Sequence, residues 1–321
     1  MFFQSTASTC CTVYSARVLL SHTQHKILVT AGAVPILCGI MSNIAVIIAM
    51  FATRQLNSSS LLLILVLSIS DLLACAFWEP LSLIMFSVNH GNCLLEKTAA
   101  FTVSFQLHFS AYVFFLIILD RFVHLRYLTR YEKILSIQRR IGLVVFAFSF
   151  ALLQGFLMSF KEISLVQQYG LCLIITIDVL PIVTAGTLLL KTRGVIKRQK
   201  RTMITTRTTD YMSRLLNLMM TALIVFYSPF ILACILSIIL KTRLGENVQS
   251  ELYLSIFLAE KFTSFNTTVN AIMFMYLNKQ VKEYITTSIS QFVSYIIREK
   301  VARRFGSSRR RIVAHVPVDH I

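Results

Sequence analysis

Ser110-Ala111-Tyr112-Val113-Phe114-Phe115-Leu116-Ile117-Ile118-Leu119 runs directly into Asp120-Arg121-Phe122, and that triplet opens the basic stretch Val123-His124-Leu125-Arg126-Tyr127. An acid and a base side by side at the edge of a long apolar run are costly to bury singly. They are expected to pair with each other or with groups on neighbouring helices. An interfacial pair that snorkels to water satisfies the same chemistry. The place of the triplet among the apolar runs of the chain separates the two.

The chain has 321 residues, 56% of them hydrophobic and 14% charged, with a mean hydropathy of +0.71. A soluble domain carries about 25% charged residues. Seven apolar stretches reach the roughly 20 residues that a helix needs to cross a bilayer: Ile27–Phe51, Leu61–Val88, Thr98–Leu119, Ile141–Phe160, Leu171–Leu190, Leu215–Leu240 and Leu252–Leu277. The expected fold is an all-α membrane protein, a seven-transmembrane helix bundle over 27–277 behind a short N-terminal segment, 1–26. The triplet falls at the end of the third span.

Net charge is +17 and the pI about 9.9. All but seven of the 31 lysines and arginines lie on one side of the expected membrane; the seven are Arg17, Lys26, Lys97, Lys161, Lys241, Arg243 and Lys261. The positive-inside tendency then puts the N-terminus outside and the C-terminus in the cytoplasm of a multi-pass plasma-membrane protein. The basic charge is accounted for by the membrane, and nucleic acid is not an expected partner. Residues 1–26 are polar and have no apolar core of their own, so the first span is expected to act as the targeting signal.

Two of the spans hold polar residues at mid-depth, Asn43 and Asp71. An ionisable group at that depth points to function. Further along the second span comes Trp78-Glu79-Pro80. Pro80 is expected to kink the helix, because it lacks a backbone donor and crowds the preceding turn. Glu79 then either lines an outward-facing cavity or reaches the interface.

Taken together these residues resemble the rhodopsin-like (class A) G-protein-coupled receptors, over Ile27 to about Ile297. Asn43 stands at the first-span asparagine, and Leu67-Ser68-Ile69-Ser70-Asp71 at the second-span Leu-x-x-x-Asp. Asp120-Arg121-Phe122 stands at Asp/Glu-Arg-Tyr, and Pro181 at the fifth-span proline. Phe226-Tyr227-Ser228-Pro229 stands at the sixth-span Cys-Trp-x-Pro, and Asn270-Ala271-Ile272-Met273-Phe274 at Asn-Pro-x-x-Tyr. The chain departs from the pattern at Phe122, Tyr227, Ala271 and Phe274, and its single Trp is Trp78, not a fourth-span residue.

The resemblance implies a receptor that binds an extracellular ligand and activates a heterotrimeric G protein through a conformational shift. Its switch residues would be Asp120, Arg121, Phe122, Tyr227, Pro229, Asn270 and Phe274, with Asp120 holding Arg121 at rest; Asp210 reads first as a solvated charge and otherwise as a second acidic partner of Arg121. Asp71, Ser110, Asn266 and Asn270 align with the family's allosteric sodium pocket, and a hard cation suits a set of oxygen donors with one carboxylate. Hydrogen bonding between helices is the other use of these four residues. Glu79, Val103, Gln106, Tyr227, Phe230, Glu260 and Lys261 are the ligand-binding candidates, although Glu79, Glu260 and Lys261 also suit a structural ion cluster. Val103 stands where amine receptors carry an aspartate. Asp178 is expected to pair with His108 or to face the cavity. The family's outer disulfide would join Cys93 to Cys172, with Cys10 and Cys11 as other partners for Cys93. Cys38, Cys75 and Cys234 read as small packing residues.

After the seventh span, apolar residues at Val281, Tyr284, Ile285, Ile289, Phe292, Val293, Ile296 and Ile297 recur at helical spacing. Residues 278–297 are expected to form an amphipathic helix on the inner membrane surface, followed by a basic tail, 298–321. Anionic lipid is the expected partner of that tail. Phosphate loops, His-Glu-x-x-His and Cys/His metal spacings are absent from the sequence, so an enzyme is not expected. A polytopic transporter or ion channel, with Asp71, Asp120 and Glu79 along an ion path, is the alternative. Transporters of this size often carry internal repeats, and none is visible.

Overall fold

Backbone N–H and C=O groups have no water to bond in hydrocarbon, so apolar runs of this length close their hydrogen bonds internally as helices. The structure is a computed structural model, and it describes residues 22–54, 59–87, 93–127, 130–159, 180–201, 207–244 and 249–313. Among them every regular element is helical: α1 (His22–Ala52), α2 (Ser59–Leu73), α3 (Glu79–Ser87), α4 (Cys93–Arg126), α5 (Tyr131–Ile134), α6 (Ile137–Ser159), α7 (Leu180–Arg201), α8 (Arg207–Leu244), α9 (Gln249–Leu277) and α10 (Lys279–Val313). Among the described residues, five stretches are long and apolar enough to cross a membrane by length and composition: Lys26–Ala52, Leu61–Ile84, Lys97–Arg126, Ile137–Leu157 and Asn217–Leu236. Helices α7 and α9 complete the seven-helix bundle.

Helix α4, the third span, packs against α2, α3, α6 and α7, while α9 closes the bundle by packing on both α8 and α1. The core follows that arrangement. Val113, Phe114, Ile117 and Ile118 of α4 are buried with Val46 and Met50 of α1, Leu63 and Leu67 of α2, Met219 and Leu223 of α8 and Phe274 of α9. Outward-facing apolar residues such as Met41, Phe146 and Tyr276 are more than two-thirds exposed. That face is the one lipid would cover.

Two close approaches use glycine. A side-chain carbon at Gly155 of α6 would lie 2.9 Å from the Phe101 carbonyl of α4. One at Gly39 of α1 would collide with Cys75 and sit 3.2 Å from Thr268 Oγ1 of α9. Small residues let membrane helices approach closely enough for dispersion and interhelical hydrogen bonds to hold them. Beside Gly39, Asn43 Nδ2 donates to the Gly39 carbonyl at 2.9 Å and to the Thr267 carbonyl at 3.4 Å, tying α1 to α9.

The expected kink at Pro80 takes a particular form. Ala74–Trp78 is one π-helical turn between α2 and α3, with the Glu79 N–H donating to the Ala74 carbonyl. The proline ring crowds the turn before it and supplies no donor, so the widened turn falls immediately upstream. One extra residue in a turn rotates everything after it by about 100° relative to an unbroken helix. Glu79 and Ser82 are aimed by that rotation.

The other end of the bundle also differs from the sequence reading. Helix α4 continues through the triplet to Arg126, and the following connection contains the short helix α5, whose Tyr131 is buried with Val123 and Leu135. Asn278 separates α9 from α10: its N–H bonds the Phe274 carbonyl, and its Oδ1 accepts from the Val281 N–H at 3.3 Å, capping the new helix. Helix α10 does not stop where the apolar spacing ends at Ile297 but runs to Val313. The added stretch holds no proline and is rich in Arg, which favours helix.

Candidate functional site

Near the widened turn, α3, α4, α8 and α9 enclose a cavity of about 30 Å³. It is lined by Trp78, Glu79, Val103, Gln106, Leu107, Ser110, Tyr227, Glu260, Thr263, Ser264 and Thr267. Five of the seven ligand-binding candidates meet here: Glu79, Val103, Gln106, Tyr227 and Glu260. Phe230 and Lys261 are not among the lining residues; Phe230 is half-buried further along α8, and Lys261 is buried next to Glu260 in the chain. Trp78 packs edge-on against Phe105 of α4, ring centres 5.6 Å apart, and so closes one side.

Lys261 is buried, and its Nζ lies 2.8 Å from Glu79 Oε2 and 3.0 Å from Glu260 Oε1. Ser82 Oγ donates to the same Glu260 oxygen at 2.9 Å. One ammonium therefore bridges carboxylates from the second and seventh spans. A buried charge without such partners would be expensive, and the rotation at Ala74–Trp78 brings Glu79 to Lys261. Ser82 had no signal in the sequence, because its reach depends on that rotation.

Next to the cavity lies the carboxylate of Asp71, fully buried. Ser110 Oγ donates to Asp71 Oδ1 at 3.5 Å, and the Asn270 amide also addresses the carboxylate. Asp71 Oδ2, Asn266 Oδ1 and Asn270 Oδ1 are buried acceptors without a hydrogen-bond partner among the described residues. Asn266 and Asn270, four apart, share one face of α9. Ser110 belongs both to this set and to the cavity wall, so the two are contiguous. Cys75, one turn on from Asp71, is buried with its Sγ 3.4 Å from Thr267 Oγ1, whereas Cys38 faces outward and is not a packing residue.

At the opposite end of α4, the Asp120 carboxylate accepts from Arg140 Nε at 2.9 Å and from the Tyr131 hydroxyl at 2.8 Å. Arg140 is 1% exposed, and its guanidinium carbon lies 4.8 Å from the centre of the Tyr131 ring. The sequence reading gave Asp120 to Arg121 and missed both of these partners. Arg121 is half-buried on the same turn, next to Phe122, which packs against the Val123–Tyr131–Leu135 cluster. Tyr227 is buried in the core, and Phe274 is 1% exposed. A tyrosine hydroxyl at 274 would need a buried partner; phenylalanine needs none.

Cys172 and Asp178 lie outside the described residues, as do the side chains of Cys93 and Asp210. His108, the other half of the expected Asp178 pair, is buried with Nδ1 against the Ser104 carbonyl.

Comparison with known proteins adds one finding. Residues 36–158, from within the first span to the end of the fourth, match a family model described as "Serpentine type 7TM GPCR chemoreceptor Srsx". No curated protein matches the chain. Over that stretch the chain is similar to a G-protein-coupled receptor family of the chemoreceptor kind, consistent with the all-helical bundle.

Proposed function

We propose that the chain is a receptor that binds a small extracellular ligand in the cavity among α3, α4, α8 and α9, and activates a heterotrimeric G protein at its other end. The family match over residues 36–158 and the helical bundle support a multi-pass receptor of the G-protein-coupled type. The observation that carries the finer reading is the continuity of α4. Gln106 lines the cavity and Asp120 sits in the far ion pair on the same helix, about 21 Å apart at 1.5 Å per residue.

Ligand at the cavity would act as a population shift. It favours arrangements in which α8, hinged near Pro229, moves away from α4 at the cytoplasmic end. Arg121 would then turn into the opened cleft, where its planar fork of donors meets backbone carbonyls of the partner's helix. Asp120, held by Arg140 and Tyr131, opposes that movement. Asp71, Ser110, Asn266 and Asn270 would hold a sodium ion. The three unpartnered buried oxygens fit a hard cation, which would supply positive charge between the two ends of the bundle. Cytoplasmic α10 would lie on the inner leaflet, with its arginines near anionic lipid.

The test is ligand-dependent nucleotide exchange on a co-expressed G protein, screened against small-molecule libraries. Exchange that requires the receptor supports this reading. Ion flux through proteoliposomes that lack any G protein would favour the transport alternative instead.

A further inference from the structure

We infer that the cavity takes the protonated amine head of a small molecule, with Glu79 and Glu260 as its counter-ions. This rests on the receptor reading above and specifies the chemistry of its ligand.

The charge count within the cluster is unbalanced. Lys261 bridges Glu79 at 2.8 Å and Glu260 at 3.0 Å, so among the described residues of this cluster two carboxylates share one ammonium and one negative charge remains. Both carboxylates line the cavity, whereas Lys261 does not. Their side chains keep 13% and 15% of their surface against 8% for Lys261, and the centre of the Phe257 ring lies 5.4 Å from its Nζ. What the cavity presents is therefore acid. In an apolar bundle an entering cation neutralises the surplus, while an entering anion doubles it.

A second, independent feature faces the same space. Gln106 Nε2 and Ser264 Oγ belong to buried side chains that line the cavity, and neither atom has a hydrogen-bond partner among the described residues. The Gln106 carbonyl is already engaged by Ser70 Oγ at 3.2 Å, so the atom left over is a donor. A buried donor without an acceptor is costly, and a hydroxyl or carbonyl oxygen on the ligand would satisfy it. The volume of about 30 Å³ is room for roughly two water-sized groups, which suits an ammonium head and not a whole ligand. Val103 supplies no charge, so the counter-ions come from the second and seventh spans.

The test uses the purified full chain and three matched probes: phenylethanolamine, mandelate and phenylethanediol, which share a ring and a hydroxyl and differ in charge. Thermal unfolding midpoints are read for the wild type, Glu260→Gln and Glu79→Gln. Glu260→Gln keeps the Glu79–Lys261 pair and an acceptor for Ser82, so it is the variant that disturbs the fold least. The amine raises the wild-type midpoint, the other two probes do not, and either substitution weakens the amine's apparent affinity about tenfold to a hundredfold. Equal or greater stabilisation by mandelate or the diol overturns the inference, as does amine binding unaffected by both substitutions or the absence of amine binding. Nucleotide exchange measured in parallel separates this site from the receptor reading. Amine binding without exchange leaves the cation site standing and removes the receptor; exchange driven by mandelate does the reverse.

Discussion

Arg140 Nε donates to Asp120 Oδ1 at 2.9 Å, with neither side chain more than 3% exposed. The pair joins the end of the third span to the start of the fourth, and the Tyr131 hydroxyl completes it. The acid of the triplet at the membrane edge is thus anchored to another helix. Breaking a buried pair costs more than the pair is worth, because the remaining charge is stranded.

Arg140→Ala is accordingly expected to lower stability by about 3–5 kcal/mol. Replacing both partners, with Asp120→Asn and Arg140→Met, recovers a large part of that loss, since no lone charge is left buried. Thermal unfolding of the purified variants in one detergent checks this. If Arg140→Ala unfolds with the wild type, the pair does not hold the fold.

Gly155→Ala probes the packing that lets the third and fourth spans meet. Its new methyl would sit 2.9 Å from the Phe101 carbonyl and 3.1 Å from Phe105 Cβ, and backbone cannot yield as a flexible side chain can. Overpacking of this kind costs about 1–3 kcal/mol. Gly142→Ala, where nothing lies within 4 Å, is the matched control. Surface expression and unfolding temperature are expected to fall for the first and to hold for the second.

Much of the bundle was legible because lipid imposes one requirement, a long apolar helix, on every span. The meeting of Glu79, Glu260 and Lys261 was legible for a related reason: charges inside a bundle must find each other. Arg140 was not. It follows Arg139, which is exposed and donates to the Lys133 and Ile134 carbonyls, and nothing in a basic run says which arginine turns inward. That choice depends on α5, whose single turn carries no periodic signal. The widened turn before Pro80 was legible as a break but not as a rotation, so Ser82 and the cavity's back wall escaped notice.

Asp71→Asn tests the ion reading of the oxygen cluster. It removes the formal negative charge from a set whose other members are a hydroxyl and two amides. Any dependence of probe binding on sodium in the wild type is expected to vanish in the variant. A wild-type protein whose unfolding temperature and probe binding are the same in sodium and in N-methylglucamine would leave these residues as interhelical hydrogen-bonding groups.

The long α10 carries Arg298, Lys300, Arg303, Arg304, Arg309, Arg310 and Arg311 within its helical bounds. Each basic residue near an anionic surface contributes about 1 kcal/mol. Replacing Arg309, Arg310 and Arg311 with Gln is expected to weaken binding of an α10 peptide to phosphatidylserine vesicles and to leave its binding to neutral vesicles unchanged. Phosphate on Ser307 or Ser308 would act in the same direction by lowering local charge. A peptide that binds both vesicle types equally would contradict lipid attachment through charge.

The central claim is that Asp120 restrains Arg121 and that Arg121 delivers the signal. Basal and ligand-stimulated nucleotide exchange in Asp120→Asn and Arg121→Ala, at matched surface expression, tests it most directly. Asp120→Asn removes the acid that Arg140 and Tyr131 hold in place, so exchange without ligand rises. Arg121→Ala leaves the cavity intact, so ligand still binds while exchange fails. A silent Asp120→Asn together with an Arg121→Ala that still signals would mean that Asp120 serves the buried pair with Arg140 and that the triplet is not a switch.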